Sequence, residues 1–519
     1  MNKIYLAIDD VSLPFRKNVC LYLSKPTVRQ EPVLAPSPHE SNAPDNLAAH
    51  FYGTVLHDAG KFRMWYYACH RGKNPDWPPR KMQQTVKKPG WLIGVQEGYE
   101  VYQGPLCYAE SDDGITWTKP ALGQVLFKGS RNNNALDLPH TIVSGATVIR
   151  DDADPDPARR YKMVYQYFCD QADPPIPEFG TNPSMACAVS PDGLKWTVTA
   201  MPYVDQFIEH SSFIKHDGKY IVHSQVFPGT SWSGAYTEGG AAGGRTGAAH
   251  LTYDFDHWPD LWAWAFALPE PRDPAMRGED KLYDQAHLGV GAVSLGNVCV
   301  GLYGVWHNQP FGEDFHKLTA DLGLVVSNDG VHFREPAPTP GHVFIHRDES
   351  PATPVPGRNF STILCQGNGI LNVGDETRIY HGRWRNAGLR AEDIAAYYRA
   401  EVALATLPRD RWGALALNPG SNEGTICSTP IAIPASGGAL TVNADGVAGL
   451  TVELLDVQFR PIPGFAAGPV TGADGFDCPV DWSGHALTEL KGRTVRIQVR
   501  LRRMGDISPR LYAMNLVAE

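Results

Sequence analysis

The sequence predicts an all-β protein, a five-bladed β-propeller followed by a C-terminal β-sandwich. Turn-forming residues are abundant, with 51 Gly and 42 Pro among 519 residues. Long stretches with helical periodicity are scarce, whereas short apolar runs bounded by turn signals are frequent, which is typical of strands. A short motif also recurs along the chain, as expected of a repeat architecture.

The recurring motif is Ser-x-Asp-Gly followed by an aromatic residue. It begins at Ser111 ("SDDGITW"), Ser190 ("SPDGLKW") and Ser327 ("SNDGVHF"), with a degraded version, "YDFDHWPD", at Tyr253. Glycine accepts the positive φ that a tight hairpin turn demands. We therefore interpret the motif as architectural and expect Asp113 to cap its own turn and Trp117 to pack between blades.

Five larger units surround these turns, and each opens with an apolar strand. The units begin with "HFYGTVLHDAG" at His50, "HTIVSGATVIR" at His140, "EHSSFIKHDG" at Glu209, "QAHLGVGAVS" at Gln285 and "QGNGILNVGD" at Gln366. Repeats of roughly 75 residues with about four strands each predict propeller blades. The innermost strand of a blade starts at the mouth of the funnel, so residues preceding these strands should converge there.

The composition changes near residue 405, which predicts two domains: a propeller catalytic domain over 1–405, with an N-terminal strand and loop segment, and a β-sandwich over 406–519. The later part alternates apolar and polar positions and carries the turn pairs Gly437-Gly438 and Asp445-Gly446. "LKGRTVRIQVRLRR", from Leu490, has the period of 2 that a half-buried strand requires.

Charge and cysteine content exclude several classes. The net charge of −10, with scattered basic residues, argues against a nucleic-acid partner. Nine cysteines without a CxxC pair favour buried free thiols over a zinc or redox motif. Without an apolar run of membrane-spanning length or a leader-like N-terminus, we expect no membrane partner and a cytoplasmic location. A homo-oligomer remains possible.

Candidate catalytic carboxylates precede the predicted inner strands: Glu40, Asp45, Asp137, Glu209 and Asp284. Glycoside hydrolysis needs one protonated carboxyl group, and a second carboxylate that activates water or attacks the anomeric carbon. Like charges crowded into a funnel raise the pKa of one group, which keeps that acid protonated. The candidate substrate-binding residues beside them are His50, Asn134, His140, His210, Gln285, His287, Trp306 and Gln366; Trp65 and Trp384 either stack on sugar or pack between blades.

Four of these histidines, His50, His140, His210 and His287, recur at corresponding ends of successive units. Imidazole is the commonest nitrogen ligand of transition metals, so a ring of them could hold an ion. No closely spaced pair such as H-x-H or H-E-x-x-H accompanies them, and hydrogen bonds to sugar hydroxyls are favoured. We expect no required cofactor, with a structural metal in the channel possible.

Several segments resemble a known group: "YGTVLHDAGKFRMWYYA", "CYAESDDGITWTKPALGQVLFKGSRNNN", "RRYKMVY" and "AVSPDGLKWT". They look like bacterial glycosidase-like proteins similar to the five-bladed propeller glycoside hydrolases of families 32, 43, 62 and 68. The resemblance implies a carboxylate base or nucleophile on the first blade, an aspartate on the second and a glutamic acid/base on the third. By position Glu209 matches the third and Asp137 the second, whereas the first blade lacks the W-x-N-D-P-N-G phrase and offers Glu40 or Asp45.

These observations predict a glycoside hydrolase, exo-acting on a furanoside or small oligosaccharide, that uses two carboxylates and has Glu209 as its general acid. Asp284, Glu40 or Asp45 would supply the second carboxylate. The alternatives are a non-catalytic carbohydrate-binding propeller, a metal-dependent polysaccharide lyase using the histidines, and a sialidase-like hydrolase suggested by the Asp-Gly turns.

Overall fold

The computed structural model describes residues 2–72, 74–77, 101–139, 143, 145–168, 183–202, 209–226, 246–268, 283–309, 318–337, 341–386, 393 and 396–518. Strands dominate these residues, accompanied by the short 3-10 helices Pro157–Arg159, Val447–Gly449 and Leu487–Leu490. The all-β prediction is confirmed. Within these ranges, no helix has the length and apolar character needed to cross a membrane.

Most of the chain before residue 409 forms five antiparallel units. The first contains β5 (Ala48–Asp58), β6 (Lys61–Arg71) and β7 (Val101–Ser111). The second contains β8 (Ala146–Arg150), β9 (Tyr161–Phe168), β10 (Pro183–Ser190) and β11 (Thr197–Ala200). The third contains β12 (His210–His216), β13 (Lys219–Val226), β14 (Thr246–Thr252) and β15 (Ala263–Phe266).

The fourth unit contains β16 (Tyr283–Ser294), β17 (Cys299–Gln309), β18 (Thr319–Ser327) and β19 (Val343–Ile345). The fifth contains β20 (Ser361–Cys365), β21 (Ile370–Val373), β22 (Glu376–Asn386) and β23 (Arg399–Pro408), with β4 (Thr27–Val28) paired at its edge. Units two and three are separate four-stranded sheets, while units four, five and one join edge to edge in one 12-stranded sheet. None of the sheets formed by the described residues closes on itself.

Two further sheets face each other across an apolar core. One contains β1 (Lys3–Leu6), β3 (Val19–Leu23), β24 (Gly413–Leu417), β27 (Gly438–Asp445), β30 (Gly475–Pro479) and β32 (Arg510–Ala518). The other contains β2 (Phe15–Lys17), β25 (Glu423–Cys427), β26 (Ile431–Ala432), β28 (Leu450–Leu455), β29 (Gly468–Pro469) and β31 (Thr494–Arg502). Side chains of β31 alternate between buried and more exposed positions because one face packs on the core and the other faces solvent.

The N-terminal strands belong to these two sheets and not to the five units that follow them in sequence. β1 pairs with β32, β2 with β25 and β3 with β24, all antiparallel. The range 1–405, which the sequence analysis assigned to the propeller, thus contributes three strands to the C-terminal sheets. A second apolar cluster, which includes Leu6, Leu302 and Trp412, packs these sheets against units four and five.

The Asp-Gly turns have the structure that the motif predicts. Asp113 Oδ1 accepts hydrogen bonds from the backbone N–H groups of Ile115 and Thr116, both at 2.7 Å. Asp192 and Asp329 make the same pair of contacts two and three residues ahead of themselves. The interpretation of these aspartates as turn caps is confirmed.

Each Asp-Gly turn also docks on a strand of the preceding unit: β22 of unit five, β6 of unit one or β13 of unit three. The Gly114 carbonyl accepts from Tyr380 Oη of unit five at 2.7 Å, and the Gly193 carbonyl accepts from Trp65 Nε1 of unit one at 2.9 Å. The Gly330 carbonyl lies 2.8 Å from His223 Nε2 of unit three. Trp117 packs edge-on against Tyr380, so it lies between units as predicted.

Hydrogen bonds near the first strands link neighbouring units in chain order and return to the start. They join Val148 N to Thr54 Oγ1, His210 Nε2 to Val164 O, Ser212 Oγ to Val290 O, Gln366 Nε2 to His287 O, and Val55 N to Asn368 O, at 2.6–3.1 Å. Asn368 further exchanges two hydrogen bonds with the backbone of Phe213 in unit three. Unit five is therefore bonded both to its neighbours and across to unit three.

Candidate functional site

The candidate site lies at the edge where first strands begin and second strands end. First and second strands form antiparallel hairpins, so the start of one faces the end of the other. In unit three, His210 of β12 is opposite Ser224 of β13. We call this the strand-start edge; it brings Glu209, which precedes β12, beside Gln225 near the end of β13.

Glu209 is partly buried, and its carboxylate is held by a neighbouring amide. Gln225 Nε2 donates to Glu209 Oε2, and Gln225 Oε1 accepts from the backbone N–H of Leu288 at 3.2 Å. The Glu209 N–H donates to Ser224 Oγ at 3.2 Å. One glutamine side chain thus orients the Glu209 carboxylate and connects it to the first strand of unit four.

Tyr52 and Cys365 lie within electrostatic reach of Glu209, although they come from units one and five. The Cys365 thiol donates to Tyr52 Oη at 3.4 Å, and both side chains are buried. Burial, with the negative charge of Glu209 as a smaller contribution, raises the pKa of Cys365 to about 12 and that of Tyr52 well above its ordinary value. A contact between buried side chains of units one and five therefore lies within electrostatic reach of a carboxylate of unit three.

His50 and His210 are buried, and each has its own partner in a neighbouring strand or unit. His50 Nε2 lies 2.6 Å from Tyr398 Oη, and its ring stacks on Tyr67 with 4.5 Å between centroids. His210 Nε2 lies 3.1 Å from the Val164 carbonyl. Burial lowers the pKa of His50 to about 3 and, as the main cause, that of His210 to about 4, so both rings are neutral at pH 7. His140 lies outside the described residues.

Two polar candidates of unit four lie beside Trp306, and Gln366 of unit five bonds the backbone of the same first strand. The rings of His287 and Trp306 are 3.9 Å apart, and Gln285 on β16 is opposite Trp306 on β17. Gln366 Nε2 donates to the carbonyls of His287 and Gly289 at 2.8 and 3.0 Å. Trp306 is only 3% exposed.

No group of three or more His, Cys, Asp or Glu side chains within the described ranges is placed to hold a metal ion. Of the four histidines of the candidate ring, the structure describes three: His50 lies against Tyr398, His210 against the Val164 carbonyl and His287 against the Trp306 ring.

Asp284 is half-exposed at the start of β16 and contacts a histidine that the sequence analysis did not select. Asp284 Oδ1 lies 2.8 Å from His307 Nδ1, and His307 Nε2 lies 2.7 Å from Asp321 Oδ2. Asp321 is buried and also accepts from the backbone N–H and the Nη1 of Arg347, at 2.6 and 2.8 Å. Asp284 is therefore the outer end of a hydrogen-bonded chain that runs into the protein.

The contacts of the other predicted carboxylates do not involve Glu209. Asp45 is fully buried and accepts from Lys119 Nζ at 2.5 Å and Tyr66 Oη at 2.9 Å. The exposed Glu40 lies beside His39 and Arg71, which lower its pKa. Asp137 is exposed on a loop after β7, and its backbone N–H donates to Gln124 Oε1.

Asn134 and the tryptophans serve packing between strands. Asn134 Nδ2 donates to Tyr66 Oη and the Tyr108 carbonyl, at 2.8 and 2.7 Å. Trp65 is buried against the Asp-Gly turn of unit two, and Trp384 is 5% exposed beside His50. Neither tryptophan offers an exposed face on which a sugar could stack.

The residues that the sequence analysis missed lie mainly near the ends of second strands. Gln225 is near the end of β13 and His307 near the end of β17, while Tyr52 lies inside β5. A signal for the first two was present, because the end of a second strand must face the start of the first strand in a hairpin. Asp321 and Arg347 carried no such signal.

Comparison with known proteins gives structural likenesses only. No protein-family model and no curated protein matches the chain. It is similar to a glycosyl hydrolase from Bacteroides ovatus, with 15% identity over 75% of this chain and 95% of that chain and a TM-score of 0.41. It is also similar to a β-1,2-mannobiose phosphorylase from Listeria innocua, with 12% identity, 76% and 97% coverage and a TM-score of 0.41.

A third likeness extends over more of the chain. A glycoside hydrolase family 43 arabinoxylan arabinofuranohydrolase from Bacillus subtilis has 10% identity and a TM-score of 0.35 over 94% of this chain and 99% of that chain. These three structures are two glycoside hydrolases and one phosphorylase.

Proposed function

We propose that this protein is a glycoside hydrolase whose five antiparallel units form a closed five-bladed β-propeller. The hydrogen bonds that link the units in chain order, and return from unit five to unit one, support the ring. The docking of each Asp-Gly turn on the preceding unit, including that of unit one on unit five, supports it independently. The strand-start edge would then be the mouth of the funnel.

The observation that carries the proposed activity is the Glu209 carboxylate, partly buried and oriented by Gln225 at the strand-start edge. Because Gln225 donates to Oε2, a protonated Glu209 carries its proton on Oε1. Glu209 is therefore suited to donate that proton to the glycosidic oxygen as the leaving group departs. The amide then stabilises the carboxylate that forms.

Asp284 is the proposed second carboxylate. It opens the first strand of the unit adjacent to that of Glu209, and its half-exposed side chain can reach a ligand at the same edge. It would either activate water or attack the anomeric carbon. Carboxyl groups about 5 Å apart give retention of configuration and a separation of about 6.5–9.5 Å gives inversion, so NMR of the first-formed sugar anomer reads out which applies.

The centre of the ring supports an exo-acting enzyme on a furanoside or small oligosaccharide. Asn368 of unit five exchanges hydrogen bonds of 3.0 and 2.7 Å with Phe213 of unit three, so the chain itself crosses between opposite units. A polymer could not thread this position. A ligand approaching from the strand-start edge would present its terminal sugar.

The test is hydrolysis of a panel of aryl-furanosides and aryl-pyranosides by the wild-type protein and by Glu209→Gln. Loss of a general acid should reduce turnover by about 10²–10⁴-fold, and the thermal unfolding midpoint should change little. Glu40→Gln is the matched control because Glu40 is an exposed carboxylate among the same candidates, and it should retain activity. Near-normal turnover by Glu209→Gln would refute the assignment, and sugar binding by an inactive wild-type protein would establish the non-catalytic alternative.

A further inference from the structure

His307 is placed between two carboxylates, with each ring nitrogen directed at one of them. Nδ1 lies 2.8 Å from Asp284 Oδ1 and Nε2 lies 2.7 Å from Asp321 Oδ2. A neutral imidazole has one N–H donor, whereas the protonated ring has two. Since an ionised carboxylate only accepts hydrogen bonds, this arrangement requires the imidazolium form.

The inner end of this chain is rigidly held. Asp321 is 1% exposed, and both of its oxygens accept from Arg347, Oδ1 from the backbone N–H and Oδ2 from Nη1. His346 Nε2 lies 3.8 Å from Asp321 Oδ2, and Asp348 lies 3.5 Å from the other nitrogen of His346. The outer end, Asp284, is half-exposed and depends on His307 for its position.

We propose that His307 is a positioning residue that holds the Asp284 carboxylate at the strand-start edge, through a relay anchored on buried Asp321. This inference rests on the proposed function, in which Asp284 is the second carboxylate. His307 itself need not touch substrate. Its positive charge and its hydrogen bond orient Asp284 to attack the anomeric carbon or to activate water.

The charge state of His307 follows from its surroundings. Burial works against the imidazolium, but the hydrogen bonds and negative charges of Asp284 and Asp321 outweigh it and raise the pKa of His307 to about 9. Among the described residues, Arg347, His346 and Asp348 lie on the Asp321 side of this relay, and Tyr303, which donates to Glu335, is within electrostatic reach of Asp284. At neutral pH the relay is therefore complete.

Loss of the proton breaks the relay at a defined point. The remaining proton stays on Nε2, next to Asp321. Asp321 is buried, where the dielectric constant is lower, so it attracts this proton more strongly than the half-exposed Asp284 does. The lone pair on Nδ1 then faces Asp284, and the two repel each other. Asp284 is then released, while Asp321 remains bound to Arg347. At pH values above the pKa of His307, kcat should therefore decrease more than KM changes.

The relay can be tested without any substrate by NMR titration of ¹³C-labelled histidine in the full-length protein. The His307 signal is assigned by its disappearance in His307→Gln, and its midpoint should lie near 9. Asp284→Asn and Asp321→Asn should each lower that midpoint by about one unit or more, because each removes an attracting charge. Since Asp284 is half-exposed, its variant should fold even if Asp321→Asn does not. A His307 titration midpoint near the ordinary pKa of histidine, or one that neither variant changes, would show that the proposed relay does not exist.

The positioning role is tested by the pH dependence of kcat. In Asp321→Asn, the apparent pKa of the alkaline limb of the kcat profile should decrease by the same amount as the His307 midpoint. His332→Gln is the matched control, because His332 contacts only the turn aspartate Asp329, at 2.7 Å, and is 68% exposed; its profile should match the wild type. A shifted midpoint with an unchanged kcat profile would overturn the positioning role and leave the proposed function standing. If the wild-type protein hydrolyses no glycoside, the proposed function fails, and the NMR midpoint still decides whether the relay exists.

Discussion

The Asp-Gly turns and the strand-start edge both carry carboxylates, but their partners come from different distances along the chain. Asp113 accepts from N–H groups two and three residues ahead, and Asp192 and Asp329 do the same. Glu209 is held by a side chain 16 residues away and Asp284 by one 23 residues away. A carboxylate satisfied by its own turn supports the fold, whereas Glu209 and Asp284 are each held by a side chain of another strand and remain partly exposed at the strand-start edge.

The largest expected effect concerns the docking of the turns. Gly114 has a φ of +74°, and a Cβ there would lie 2.5 Å from Tyr380 Oη and 2.6 Å from Arg378 Nη1. Gly114→Ala should therefore lower the free energy of unfolding by about 2–4 kcal/mol through backbone strain and overpacking. Urea denaturation measures this loss, and turnover per folded molecule should be unchanged.

Gly218→Ala is the matched control for this substitution. Gly218 has a similar φ of +76°, but nothing lies within 4 Å of its added Cβ. Its cost should be limited to backbone strain of about 1 kcal/mol. Equal losses for the two variants would show that the turn of unit one gains nothing from docking on unit five.

A smaller effect, on activity and not on stability, is expected at the strand-start edge. Gln225→Leu removes the amide that donates to Glu209 and accepts from Leu288, without changing the side-chain length greatly. Loss of a hydrogen bond to a charged group, about 1.5–3 kcal/mol, corresponds to a decrease in kcat of about tenfold to a hundredfold.

Gln124→Leu is the control for that variant, because Gln124 also bridges two backbone groups, accepting from Asp137 and donating to Leu194. It lies away from the strand-start edge and should leave kcat unchanged. If both glutamine variants reduced kcat equally, the distinction between the edge and the rest of the fold would be wrong.

The smallest expected effect is the pH dependence of the stability that Asp113 contributes to its own turn. Backbone hydrogen bonds from Thr116 and Ile115 lower the pKa of Asp113 to about 2, below its ordinary value. The stability from this shift is therefore present above about pH 4 and lost as the pH falls through 2. Because the carboxylate is exposed and screened, Asp113→Asn should cost at most about 1 kcal/mol at pH 7. Unfolding curves of variant and wild type should converge below about pH 2, and a difference that persists there would contradict this origin.

Much of the architecture could be predicted because it depends on neighbours in sequence. The turns at Gly114, Gly193 and Gly330 need a positive φ, and the apolar runs before them form strands whatever their partners. The strands β1–β3 could not be placed in this way. Their partners lie roughly 390 to 510 residues later, and the sequence of an apolar strand does not indicate which distant strand it will pair with.

The candidate site was predictable only in part for the same reason. Glu209 and Asp284 were selected because they precede first strands, and they do lie at the strand-start edge. Asp45 shared that signal, yet it is buried against Lys119, a residue 74 positions later. Gln225 and His307 were missed because residues at the ends of second strands were not considered.

The sequence by itself determined the strand class, the turns and the carboxylates near the start of each unit, since these follow from local backbone preferences and periodicity. Only the tertiary structure decided which carboxylates have partners that orient them and which are neutralised in place. That choice depends on side chains from other strands and other units, such as Gln225 for Glu209 and Lys119 for Asp45. Electrostatic and hydrogen-bond energies vary steeply with distance, and the distances exist only once the chain has folded.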